Sequence, residues 1–136
     1  MAAARPVTLV WKEGMLFEGG ASGGPAVPVD ADGKTAPSPM TGLLVALASC
    51  TGADVVSILR KKRAELRSFR VEVTGERRDE HPKRYTAITL TYHIAAPGLA
   101  ESAARQAIEL SLGKYCSVTH SLAKDIALRH ELVLEA

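Results

Sequence analysis

A chain of 136 residues is long enough for one domain with a real hydrophobic core, held together without disulfides or a structural metal. A formal net charge of only +2, with both signs interspersed, gives no broad basic surface, so nucleic acid is not an expected partner. The opening MAAARPVTLVWKEG has one Arg and no long apolar run, so a secretory signal is not expected and a cytoplasmic location follows. There, two cysteines stay reduced at rest, and a disulfide between them would be catalytic or redox-sensing rather than structural.

Val7, Leu9 and Trp11 alternate with Thr8, Val10 and Lys12, which predicts a strand ending in a turn at Glu13-Gly14. Met15 to Glu18 reads as a returning strand. The glycine-rich run from Gly19 to Gly24 reads as a flexible loop; it lacks the GK[ST] ending of a phosphate cradle. A third short strand is expected at Val27 to Asp30, before the turn Asp30-Ala31-Asp32-Gly33.

The segment SPMTGLLVALASCTGADVVSILRKKR, Ser38 to Arg63, organises the chain. Ser38 can cap a helix and Pro39 suits its first turn, where a missing N–H costs nothing. Four cations, Arg60 to Arg63, sit where the helix dipole favours them. The stretch between is apolar or small, so a helix buried around most of its circumference is expected. Asp54, the hydroxyls and the few bulky side chains argue against a membrane span. Gly42, Ala46, Ser49 and Ala53 share one face that could admit a neighbouring backbone. Leu43, Leu47, Cys50 and Asp54 share the next stripe.

Ser68 to Arg78 and Tyr85 to Ile94 alternate with period two on either side of Asp79-Glu80-His81-Pro82, predicting a long antiparallel hairpin with one covered face. A second helix is expected from Leu99 to Leu112, closed by Gly113, with Ala103, Ala107 and Leu110 pointing inward. A third runs from Ser117 to about Leu128, and His130 to Leu134 forms a final strand. The order predicts a single α+β domain over residues 1–136, with helices packed on one face of a largely antiparallel sheet. One such domain has difficulty covering a long apolar helix on nearly every side, so an intertwined two-fold homodimer is expected.

The cysteines carry the candidate chemistry. Taken alone, Cys50 fits a small core-filling residue as well as a reactive thiol. Cys116 falls at a predicted helix start beside Lys114, where N–H groups and a cation should lower its pKa. Their spacing of 66 residues is that of neither a zinc nor a thioredoxin-type CxxC motif, and no metal is expected.

Three stretches, WKEGMLFEG, the Ser38 to Arg63 segment and LSLGKYCSVTHSL, resemble the OsmC/Ohr family of thiol-dependent hydroperoxide reductases, and among its branches the YhfA-like one. The resemblance implies an OsmC-like fold with antiparallel sheets, a long central helix and an intertwined homodimer. It implies that Cys50 is the peroxidatic and Cys116 the resolving thiol, and that an external dithiol of dihydrolipoyl type, rather than a bound cofactor, restores them. The implied substrate is an organic hydroperoxide, since Leu and Val side chains surround the site.

The family motif has Glu directly after the helix-opening Pro, where this chain has Met40; the YhfA-like branch often has it one place later, at Thr41 here. The family also uses an N-terminal-region Arg, whereas between Arg5 and Arg60 only Lys12 and Lys34 are basic. Lys34, His120 and Asp54 are therefore the auxiliary candidates. The departures also motivate a second reading, a non-catalytic OsmC-like protein that binds an apolar small molecule or senses oxidants through the same thiols. In a third, both cysteines are inert core residues.

Overall fold

The structure is a computed structural model that describes residues 5–136; residues 1–4, the head of the stretch read as lacking a secretory signal, lie outside the described residues. The chain divides into two compact units that meet in sequence at Leu43/Leu44.

The first unit is an antiparallel sheet of β1 (Val7–Glu13), β2 (Leu16–Ala21) and β3 (Val27–Asp30) in that order. The β1–β2 turn is closed by the Trp11 indole N–H donating to the Gly14 carbonyl at 2.8 Å, with Gly14 at φ +52°. β2 runs further than the alternation suggested, because Gly19 and Gly20 belong to the strand rather than to a loop. At Gly20 the lack of a side chain is a packing requirement, since a Cβ there would collide with the Pro25 carbonyl, whereas at Gly19 it would meet only the movable Leu9 Cδ1 at 2.9 Å.

β3 ends on Asp30, whose carboxylate accepts from the N–H groups of Asp32 (2.9 Å), Lys34 (3.1 Å) and Thr35 (3.0 Å) and from the Thr35 hydroxyl (3.0 Å). The N–H groups of Thr35 and Asp32 do most to hold its pKa down to about 2, against the opposing effect of burial. One side chain thus fixes the whole 31–35 loop.

The long helix α1 (Pro39–Lys61) starts as its caps predict, with Ser38 Oγ accepting from the Thr41 N–H at 3.2 Å. It ends at Arg63, which takes the left-handed conformation at φ +62° while the Ala64 N–H reaches back to the Leu59 carbonyl. Burial around most of the circumference is not what the chain shows. Leu47, Thr51, Val55 and Leu59 are fully buried along one i, i+4 stripe, with Gly52 beside them, whereas Val45 is 55% exposed. Close approach falls at Gly52, where a Cβ would sit 3.3 Å from the Phe69 ring, and not at Gly42, where a Cβ would meet nothing within 4 Å. Helix α1 is long and apolar enough to cross a membrane; here its buried stripe serves the core of the second unit.

In that unit β5 (Tyr85–Ala95) lies between β4 (Ser68–Arg77) and β6 (Ala127–Glu135). β4 and β5 form the expected hairpin, with Val71 opposite Tyr92 and Val73 opposite Leu90. β6 joins in parallel, so the sheet is mixed, and the strand begins earlier than its Leu132/Leu134 pattern suggested. Ile88, Leu90, Tyr92 and Ile94 are essentially inaccessible on one face of β5.

The connection from β5 to β6 carries α2 (Glu101–Leu110), a π-helical turn (Ser111–Tyr115) and the short α3 (Ser117–Ser121). Helix α2 buries Ala104, Ala107 and Ile108, and Leu110, expected inside, is 38% exposed. Gly113 does not close the second helix but lies inside the π turn. Helix α3 stops at Ser121 because the apolar residues after it, Ile126 and Leu128, belong to the turn into and the start of β6.

Candidate functional site

Cys50 lies midway along α1 and is half-buried; Cys116, between the π turn and α3, has no solvent exposure. Both are free thiols, and the Cys50 side chain lies near enough to Cys116 to raise its pKa. Cys116 is also the N-cap of α3, its sulfur accepting from the Thr119 N–H at 3.4 Å. The Thr119 hydroxyl faces the same sulfur, and it is buried without a hydrogen bond of ordinary geometry.

The expected lowering of the Cys116 pKa is reversed. Burial pushes the thiol up, outweighing the pull of Thr119, and the contact with Cys50 raises it further. Capping a five-residue helix cannot offset the loss of water around a completely enclosed sulfur. Cys116 therefore keeps its proton near neutral pH.

Beneath the thiols runs a chain of hydroxyls. Thr51 Oγ1 lies 2.8 Å from Tyr92 Oη and 2.8 Å from Ser111 Oγ, and Ser111 Oγ donates to Asp54 Oδ2 at 2.9 Å. Thr51, Tyr92 and Ser111 are all fully buried. The directions are fixed by counting hydrogens: Ser111 has one, given to the carboxylate, so Thr51 donates to Ser111 and Tyr92 donates to Thr51. Burial drives the Tyr92 pKa to about 12; Thr51, able to turn and donate to a phenolate, opposes this, while charge on Cys116 or Asp54 reinforces it.

The auxiliary candidates separate. Asp54 is part of the hydroxyl chain, and it also borders a depression of about 380 Å³ with Lys61 and Tyr115. His120 is exposed and lines a different depression, of about 200 Å³, with Leu122 and Ile126. Lys34 belongs to the first unit, where it is exposed and its main-chain N–H donates to Asp30. Within the second unit no cationic side chain is hydrogen-bonded to either sulfur. Among the described residues no group of three or more His, Cys, Asp or Glu side chains is placed to hold a metal ion.

Thr51, Tyr92 and Ser111 went unnoticed in the sequence. A signal existed for Thr51, which falls on the same i, i+4 stripe as Leu47 and Val55; a hydroxyl in a fully buried row has to find a partner.

Fold and site together define an α+β protein built around a pair of facing thiols. The family model for OsmC-like proteins matches residues 31–131. The chain is 39% identical over 121 residues to Protein YhfA of Escherichia coli (strain K12), covering 88% of this chain and 90% of that one. The structure of an OsmC like protein from Mycoplasma pneumoniae superposes with a TM-score of 0.85 at 19% identity over 100% of both chains. That of the organic hydroperoxide resistance protein OhrB of Bacillus subtilis gives 0.64 at 15%, over 96% of this chain and 98% of that chain. The chain belongs to the family of OsmC-like proteins.

Proposed function

We propose that the protein is a thiol-dependent reductase of organic hydroperoxides, working through Cys50 and Cys116. The observation that carries this reading is the meeting of two free cysteines remote in sequence, one half-buried and one enclosed. The more accessible sulfur, Cys50, attacks the outer peroxide oxygen as the thiolate. The O–O bond breaks, the alkoxide leaves and takes a proton to become the alcohol, and Cys50 is left as a sulfenic acid. Cys116 gives up its proton and attacks that sulfur; hydroxide leaves and is protonated to water, and a disulfide forms. An external dithiol, dihydrolipoyl in type, then reduces the disulfide by exchange and is itself oxidised.

The reading extends to a cytoplasmic homodimer. In the first unit Val7, Leu9 and Trp11 are 73, 59 and 64% exposed, a row of apolar side chains that a second copy could cover. In the second unit the outer face of α1 and the start of β4 enclose an open apolar groove of about 1020 Å³, bordered by Val45, Ala53, Val56 and Phe69.

Steady consumption of cumene or tert-butyl hydroperoxide with dihydrolipoamide, abolished in Cys50→Ser and limited to one turnover in Cys116→Ser, is the expected result. The absence of a cation bonded to either sulfur within the second unit favours the redox-sensing alternative. That alternative predicts a single stoichiometric oxidation and no turnover.

A further inference from the structure

Ser111 touches both halves of the thiol pair's scaffold. Its hydroxyl is hydrogen-bonded to Thr51, the residue after Cys50, at 2.8 Å and donates to Asp54, one turn further along the same helix, at 2.9 Å. Its carbonyl accepts the N–H of Cys116 at 2.8 Å, a five-residue, π-type hydrogen bond. The path from the backbone at Cys50 to the backbone at Cys116 therefore passes through one fully buried serine. Without that hydroxyl the Ser111–Tyr115 turn would retain its own main-chain bond but lose this polar link to the helix bearing Cys50.

A buried chain of polar groups is a costly way to fill a core that Val or Ala could fill, and π turns inside helices recur at functional sites. We propose that Ser111 is a positioning residue for the thiol pair: by tying the π turn to α1 through Thr51 and Asp54, it sets the separation and mutual aim of the Cys50 and Cys116 sulfurs. The inference rests on the paired-thiol reading but not on peroxide being the oxidant. Disulfide geometry tolerates little error in the approach of the two side chains, so loosening the tie makes the disulfide less favourable relative to two thiols.

The test is the equilibrium of the full-length protein with glutathione, in which one glutathione disulfide oxidises the Cys50–Cys116 dithiol and is released as two glutathione thiols. Thiol alkylation and intact mass read the oxidised fraction. Ser111→Ala and the near-isosteric Thr51→Val break the same bond from opposite ends. Each is expected to lower the equilibrium constant for disulfide formation about tenfold, a potential about 30 mV less negative. Tyr92→Phe removes a hydroxyl from the same buried chain but leaves the Ser111–Thr51 bond, and it is expected to stay within about twofold of wild type. Because Thr51→Val also strands the Tyr92 hydroxyl, the Thr51→Val/Tyr92→Phe double variant, which strands none, is expected to keep the tenfold shift; a shift caused by lost core stability would shrink in it.

If the wild type forms the disulfide while Ser111→Ala and Thr51→Val keep its potential, or if Tyr92→Phe shifts as far as they do, the positioning role is overturned and the paired-thiol reading stands. A wild type that forms no Cys50–Cys116 disulfide overturns both.

Discussion

Cys116 and Cys50 are neighbouring thiols with unequal access to solvent: the first is enclosed and holds its proton, the second is half-exposed on the long helix. The asymmetry predicts the order of chemical modification. Iodoacetamide at neutral pH should label Cys50 well before Cys116, as peptide mass spectrometry of briefly treated native protein would show. Equal labelling would mean that Cys116 is not enclosed in solution.

The hydroxyl chain separates two substitutions that remove one oxygen each. Tyr92→Phe leaves Thr51 still donating to Ser111 and orphans no buried donor, so about 1 kcal/mol of stability is lost. Thr51→Val strands the Tyr92 hydroxyl in the core and should cost more, about 1–3 kcal/mol. Urea denaturation monitored by circular dichroism gives both values, and the reverse ranking would contradict the bond directions assigned to the chain.

Alkaline titration reports the same core. The Tyr92 pKa, about 12, is raised above the unfolded value of about 10. Its contribution to stability is therefore complete below pH 10 and is lost as pH rises from about 10 through 12. Cys116, also raised, loses its contribution in the same sense as pH climbs through its folded pKa. Of the three tyrosines, one should develop phenolate absorbance last, near pH 12, and that step should vanish in Tyr92→Phe.

Asp30 acts at the opposite end of the scale. Its folded pKa of about 2 lies below the unfolded value of about 3.9, so its stabilisation of the 31–35 loop is present above about pH 4 and is lost as pH falls towards 2. Amide exchange at Asp32, Lys34 and Thr35 should be slow at pH 5, should quicken relative to intrinsic rates near pH 2, and should be fast throughout in Asp30→Ala.

In the first unit, Gly20→Ala is expected to destabilise by about 1–3 kcal/mol, because the new methyl meets a backbone carbonyl that cannot rotate away. Gly23→Ala lies in open space but at φ +79°, where the cost is backbone strain instead, about 1 kcal/mol. Thermal melts of the two variants measure both costs, and a Gly20→Ala that melts with the wild type would contradict the clash.

Local signals made much of this fold readable. Ser38 and Pro39 marked the start of α1, and the period-two runs from Phe69 and Tyr85 marked the hairpin, because capping and alternation are written in neighbouring residues. The two cysteines stood out through the family motifs around them. What escaped notice depends on tertiary placement. Nothing near Leu128 says that its strand will enter parallel, and Thr51, Tyr92 and Ser111 look ordinary until three separate elements bring their hydroxyls within 2.8 Å. The Cys116 pKa was misjudged for the same reason: sequence shows a helix start, but not that the sulfur has lost all contact with water.

The π turn leaves a mark on how this stretch can vary. Its wide loop holds one residue more than an ordinary helical repeat would, and an α-helix advances about 100° per residue. Shortening Ser111–Tyr115 by a single position would let the helix wind on regularly with Cys116 still in phase, since the wider turn spends five residues where an α turn spends four, and the Ser111 carbonyl would then meet the Cys116 N–H across four residues instead of five.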